Sequence, residues 1–77
     1  PSKDRLDDAY TALGLTPDVR DAEVKRAYRR LVSENHPDKL AAKGLPESMR
    51  QVAEERTREI NVAYDLIKES RRLLVRN

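Results

Sequence analysis

The sequence contains no cysteine, no tryptophan and no phenylalanine, and only two glycines and one histidine among 77 residues. The lack of cysteine excludes disulfide staples and thiolate metal sites, and permits a reducing compartment. With one histidine and no thiol, no metal and no cofactor are expected. Few glycines argue against a loop-rich scaffold. No apolar run approaches the roughly 20 residues of a membrane span; Leu73-Leu74-Val75 is typical of the longest. Direct membrane contact by these residues is therefore not expected. Neither a signal peptide nor an initiator Met is present, so a piece of a longer chain is expected, its targeting segments elsewhere.

What remains is helix-forming material: Ala, Leu, Glu, Lys and Arg dominate. A chain of this length makes one domain and buries only about 60% of the surface its unfolded form exposes. It has no room for an enzyme-sized cavity beside a core, which favours an interaction module over an enzyme. Sixteen basic and fourteen acidic residues leave a net charge of +2. That is too weak to signal nucleic-acid binding, so the placement of charge matters more than its sum.

Three helices are readable from apolar spacing. Leu6, Ala9, Tyr10 and Leu13 fall at i, i+3, i+4, i+7, giving a helix over about 4–13 with Gly14 as a left-handed stop. Thr16-Pro17-Asp18 reads as a turn. Val24, Ala27, Tyr28 and Leu31 repeat the spacing on a second helix, which starts near Asp21, a cap or a favourable charge for the first turn. It ends near Asn35, because Pro37 disfavours helical backbone at His36. Met49, Val52, Ala53, Ile60, Ala63, Tyr64 and Ile67 form the stripe of a third helix from about Pro46 to Arg72. Arg56 and Thr57 interrupt it halfway, which predicts looser packing there. At 1.5 Å per residue the third helix is about 40 Å long and the second about 21 Å. The expected architecture is all-α: an antiparallel hairpin of unequal arms, a short N-terminal helix covering one side, and part of the long arm projecting. Tyr10, Leu13, Val24, Ala27, Tyr28, Leu31, Ile60, Ala63, Tyr64 and Ile67 are its expected core. Residues 36–45 then form the loop at its exposed tip.

That loop opens with His36-Pro37-Asp38-Lys39. A given tripeptide occurs by chance in about one in a hundred such chains, so His-Pro-Asp alone is weak. Read alone, Pro37 is a helix stop, Asp38 a loop residue and His36 a satisfied turn histidine. The context is more specific. The helix before the turn carries Lys25, Arg26, Arg29 and Arg30 with no acidic residue within 24–32, whereas 46–72 holds six acidic and six basic residues. An uncompensated cationic face of this kind steers an acidic partner. Nucleic-acid binding is the other class such a helix serves, but the small net charge and the absence of aromatics on the basic face argue against it. An enzymatic pairing of His36 with Asp38 lacks a convincing nucleophile, since Ser33 sits on an exposed hairpin with no oxyanion pocket.

Tyr10-Thr11-Ala12-Leu13-Gly14-Leu15, Val24-Lys25-Arg26-Ala27-Tyr28-Arg29-Arg30-Leu31, His36-Pro37-Asp38-Lys39 and Ile60-Asn61-Val62-Ala63-Tyr64 together resemble the successive signatures of the J-domain (DnaJ/Hsp40) family. Their order covers about residues 6–67. The resemblance implies one J-domain, with a core over about 6–72 and a frayed tail at 73–77, that is not itself a catalyst. It implies a co-chaperone module that docks on the ATPase domain of an Hsp70 (DnaK) partner and promotes ATP hydrolysis. Asp38, which would engage an arginine of Hsp70, and His36 would be the switch residues, Pro37 would be the conformational lock, and Lys39, Lys25, Arg26, Arg29 and Arg30 would form the docking face. The physical logic suits these residue types. Pro37 restricts the backbone, so Asp38 has little entropy to lose on binding, and a carboxylate accepts a forked, charge-assisted pair of bonds from a guanidinium.

Departures from the common pattern narrow the resemblance. The stretch Asp38-Lys39-Leu40-Ala41-Ala42-Lys43-Gly44-Leu45-Pro46-Glu47, with Arg26-Ala27-Tyr28-Arg29 and Ala63-Tyr64-Asp65-Leu66-Ile67-Lys68, resembles the bacterial membrane-anchored DjlA branch. That branch implies a full-length protein anchored at the cytoplasmic face of the inner membrane, and dimeric, through segments outside this chain. No turn signal sets off the short fourth helix usual in J-domains, and Thr57 stands where the family commonly has an aromatic.

Overall fold

A computed structural model of the chain describes the backbone of residues 2–76 and the side chains of residues 5–72. Four α-helices make up the described chain: α1 Ser2–Ala12, α2 Asp21–Glu34, α3 Pro37–Ala42 and α4 Glu47–Arg76. No strand occurs among the described residues. The all-helical class and the unequal hairpin agree with the sequence reading, and α3 is an addition to it.

α1 stops where the left-handed glycine was expected. Gly14 has φ +72°; its N–H donates to Thr11 O at 2.9 Å and the Leu15 N–H to Tyr10 O at 2.9 Å. This closing pattern satisfies two orphan carbonyls of the last turn. The loop to α2 is pinned by the Thr16 hydroxyl, which donates to the Asp18 carboxylate. That bond, followed by one from its own backbone N–H, holds the Asp18 carboxyl below its ordinary value. A carboxyl depressed by folding contributes stability above its unfolded value, and the contribution disappears as pH falls through the lowered folded value.

α2 and α4 run antiparallel. Going up α2 from Asp21 to Tyr28, the partners on α4 descend from Arg71 to Tyr64 and Asn61. The Tyr28 and Tyr64 rings stack at 4.0 Å between centroids and 11° between planes, and the Tyr28 hydroxyl donates to Asn61 Oδ1 at 2.6 Å. α1 packs on the C-terminal half of α4, and Ala9, Tyr10, Leu13, Val24, Ile60, Ala63 and Ile67 form one buried cluster between the three helices. Ala27 is also buried, while Tyr28, Leu31 and Tyr64 are half-buried at its edge.

The thirty-residue α4 spans about 45 Å at 1.5 Å per residue, close to the 48 Å long axis of the molecule. Because α2 has fourteen residues, the N-terminal part of α4 outruns it. Met49 and Val52 consequently lie 52% and 67% exposed, which corrects their place in the expected apolar stripe. Ala53 stays buried. Thr57 turns its hydroxyl back onto Ala53 O at 3.0 Å, a bond within the helix that lets a polar residue interrupt the stripe. α4 continues without a turn past Arg72 to Arg76, so no separate fourth basic helix breaks away at residues 69–72. The expected frayed tail at 73–77 concerns side chains outside the described residues.

Arg71 ties the three long helices together. Its guanidinium donates to the Tyr10 hydroxyl at 2.9 Å, to Asp21 Oδ1 at 2.5 Å and to Val19 O at 2.8 Å. Burial alone would lower its pKa, but the bonds to Asp21 and Tyr10 outweigh that and hold it above its ordinary value. Asp21 therefore serves as the favourable charge of the first turn of α2 and as an ion-pair partner. The N-cap position belongs to Arg20, which makes no side-chain cap. Arg71→Met keeps the aliphatic stem and removes every bond. It is expected to cost about 1–3 kcal/mol and to lower the melting temperature in circular dichroism by roughly 5–15 °C. An unchanged melt would mean that the clamp contributes nothing.

Candidate functional site

The tip of the hairpin is built from the end of α2 and the start of α3. Asn35 closes α2: its backbone N–H reaches Leu31 O at 3.2 Å and its side-chain Nδ2 donates to the same oxygen at 2.8 Å. His36 then takes extended backbone, φ −67° and ψ 136°, as the following proline demands. Pro37 is the first residue of α3, where its missing N–H costs nothing and its fixed φ is already helical. The sequence reading made Pro37 the terminator of α2 and left residues 36–45 as loop. In the structure the same proline also starts a helix, and the expectation of an unstructured tip is corrected.

His36 caps that helix. Its Nδ1 accepts the Asp38 backbone N–H at 3.1 Å, which places the imidazole proton of this arrangement on Nε2. The Asp38 carboxylate makes no such bond. It is 94% exposed, and its approach to His36 Nδ1 is 3.9 Å, beyond hydrogen-bond range. Asp38 is thus a carboxylate held by its backbone and left open at its oxygens. α3 ends on Gly44 at φ +73°, with Gly44 N–H on Ala41 O at 2.9 Å and Leu45 N–H on Leu40 O at 3.2 Å. Leu40 is the buried residue of α3, which packs on α4.

Lys25, Arg26, Arg29 and Arg30 are all exposed on α2, opposite buried Val24 and Ala27. Among the described residues none of the four stands in an ion pair. Lys39 is exposed on the first turn of α3, where its Nζ donates to Ser33 Oγ at 2.8 Å. The eight residues singled out from the sequence therefore fall into two adjoining groups: four cations along α2, and His36, Pro37, Asp38 and Lys39 directly beyond its end. Among the described residues no group of His, Asp and Glu could hold a metal ion. Ser33 Oγ is engaged by Lys39 rather than by His36, so no nucleophile and base pair forms here.

Residues 8–73 match the family model of the DnaJ domain. The chain belongs to the DnaJ-domain family. Among curated relatives, the J-domain chain is 49% identical over 71 residues to the co-chaperone protein DjlA of Photobacterium profundum, covering 92% of this chain and 26% of that protein. It is 56% identical over 68 residues to DjlA of Vibrio vulnificus, covering 88% and 24%. It is 58% identical over 62 residues to DjlA of Haemophilus influenzae, covering 80% and 22%. The J-domain chain spans about a quarter of the length of these relatives. No solved structure matches it.

Sequence reasoning passed over three groups at or near this J-domain site. Leu40, which tethers α3, lies in a short Leu-Ala-Ala run that shows no period. Ser33 reads in the sequence only as a weak nucleophile candidate, because nothing local ties it to Lys39. Arg71 looked like one more charge on a mixed-sign helix; its distance of 50 residues from Asp21 and 61 from Tyr10 left no local signal.

Proposed function

We propose that this J-domain is the module by which a larger co-chaperone docks on the ATPase domain of an Hsp70 and stimulates its ATP hydrolysis. The observation that carries the reading is the open carboxylate of Asp38, presented by a proline-fixed and histidine-capped turn beside four exposed cations that stand in no ion pair among the described residues. A preorganised carboxylate loses little entropy when a guanidinium takes it. The cations supply long-range attraction to an acidic surface. The co-chaperone names of the relatives support the same reading. In this reading the J-domain performs no chemistry of its own; ATP is hydrolysed on the partner.

The direct test is steady-state ATP hydrolysis by a bacterial Hsp70 with and without this chain. A rise that saturates with added J-domain is expected; no rise at saturating concentration would overturn the proposal. Reversing charge at Arg29 and Arg30 to Glu is expected to slow association on the order of tenfold at low salt, the difference shrinking as salt is raised. Stopped-flow binding reads this, and an unchanged on-rate at low salt would remove the steering role. No described helix is long and apolar enough to cross a membrane. For the whole protein, the reading puts the membrane anchor and any dimer contact in segments outside these residues, with the J-domain on the cytoplasmic side.

A further inference from the structure

Two residues that flank the His-Pro-Asp turn meet across it. Ser33 lies in the last turn of α2 and Lys39 in the first turn of α3, six positions apart, and Lys39 Nζ donates to Ser33 Oγ at 2.8 Å. Between them the chain changes direction through Asn35, His36 and Pro37. The bonds already described fix the two sides separately. Asn35 closes α2 onto Leu31 O, and His36 Nδ1 closes the first turn of α3 onto the Asp38 N–H. Neither sets the angle between the two helices. Pro37 fixes its own φ and holds the ψ of His36 to the extended range of about +120 to +160°, within which the angle between the two helices can still vary.

We infer that the Lys39–Ser33 hydrogen bond is a clamp across the joint, making Ser33 a positioning residue that sets how the Asp38 carboxylate is aimed relative to the cationic face of α2. This rests on the proposed Hsp70 docking, and it adds a role for a residue outside the His-Pro-Asp turn and the cations. Lys39 and Asp38 are neighbours on one helix, so they project about 100° apart. Drawing the ammonium back onto α2 therefore acts with the packing of Leu40 on α4 to fix the rotation of α3 about its axis. That rotation determines which side of the tip the carboxylate occupies. Ser33 carries no charge, so its contribution is distinct from the steering by Arg29 and Arg30. A bond from an ammonium to a neutral hydroxyl is also less sensitive to salt than attraction between separated charges.

The test uses the whole chain in five forms: the parent, Ser33→Ala, Lys39→Met, the double variant, and Ser33→Thr, which restores a hydroxyl. Ser33 is exposed near a helix end, and alanine is the better helix former, so Ser33→Ala is expected to fold. In the free J-domain, nuclear magnetic resonance is expected to show Ser33→Ala shifting the amide signals of residues 36–40 and leaving those of α1 in place. With Hsp70, Ser33→Ala is expected to raise the half-saturating concentration for ATPase stimulation about threefold, the scale of one lost hydrogen bond. The maximal stimulation and the salt dependence of association stay as in the parent. Ser33→Thr recovers most of the effect, and Ser33→Ala adds nothing further in the Lys39→Met background. The clamp is overturned if Ser33→Ala leaves the signals of residues 36–40 unmoved, or if the two single effects add in full. Were the parent itself not to stimulate Hsp70, the docking proposal would fail, while the resonance shifts in the free J-domain would still decide the clamp.

Discussion

Asp38→Asn is expected to abolish stimulation of Hsp70 ATP hydrolysis while leaving helicity and melting close to those of the parent. The side chain is 94% exposed, and the capping bond at this position uses the backbone N–H of residue 38, which the substitution keeps. Asparagine has nearly the same shape, so the variant changes little except the charge and the second acceptor oxygen. What is lost is the forked, charge-assisted pairing with a guanidinium. Removing one member of a desolvated charge pair costs about 2–5 kcal/mol, equivalent to roughly 30-fold or more in affinity. The coupled ATPase assay and circular dichroism on the same preparation make the comparison. Full stimulation by Asp38→Asn would sink the proposed mechanism, and a collapse of helicity would show that the residue acts through folding instead.

Ile67→Ala is expected to give the largest loss of stability. Ile67 is fully buried, at 0% exposure, in the cluster that joins α1, α2 and α4. Truncating a side chain at such a site removes its transfer energy and leaves a cavity, together about 3 kcal/mol. For a domain of this size that lowers the melting temperature by roughly 15 °C or more. Val62→Ala is the matched control: Val62 lies on the same helix but is 59% exposed, and surface changes of this kind usually stay within about 0.5 kcal/mol. Similar melts for the two variants would mean that the core is not where the burial places it.

The helices that bury an amphipathic stripe were legible in the sequence because the 3.6 period survives over several turns. Leu6 to Leu13 and Val24 to Leu31 announced α1 and α2, and Gly14 and Pro37 announced where they stop. α3 was not legible by period, since six residues make less than two turns. Its signals were positional instead: Pro37 at the first helical place, Gly44 just past the last, and Leu40 between them. The same proline both ends α2 and starts α3, and only the first of these roles follows from the helix before it. Met49 and Val52 misled for another reason. The stripe they continue is real along the helix, but burial needs a partner, and α2 is too short to provide one there. Within the candidate site, the sequence placed the cations and the tripeptide side by side. It did not reveal that His36 spends Nδ1 on a cap, or that Lys39 is tied to Ser33, because each depends on a bend whose angle is set in three dimensions.

α3 is held to the rest of the molecule by one buried side chain, Leu40, and by the exposed Lys39–Ser33 bond, whereas α1 and α2 share a seven-residue buried cluster with α4. Withdrawing a single leucine from its pocket costs roughly 1.5–3 kcal/mol, less than the unfolding of a whole domain. The tip is therefore expected to be a separate, weaker cooperative unit that opens far more often than the hairpin melts. In each opening Asp38 loses its aim while the cationic face of α2 stays intact. The domain is thus expected to have two thermal limits, and the proposed recognition through Asp38 to reach its limit first.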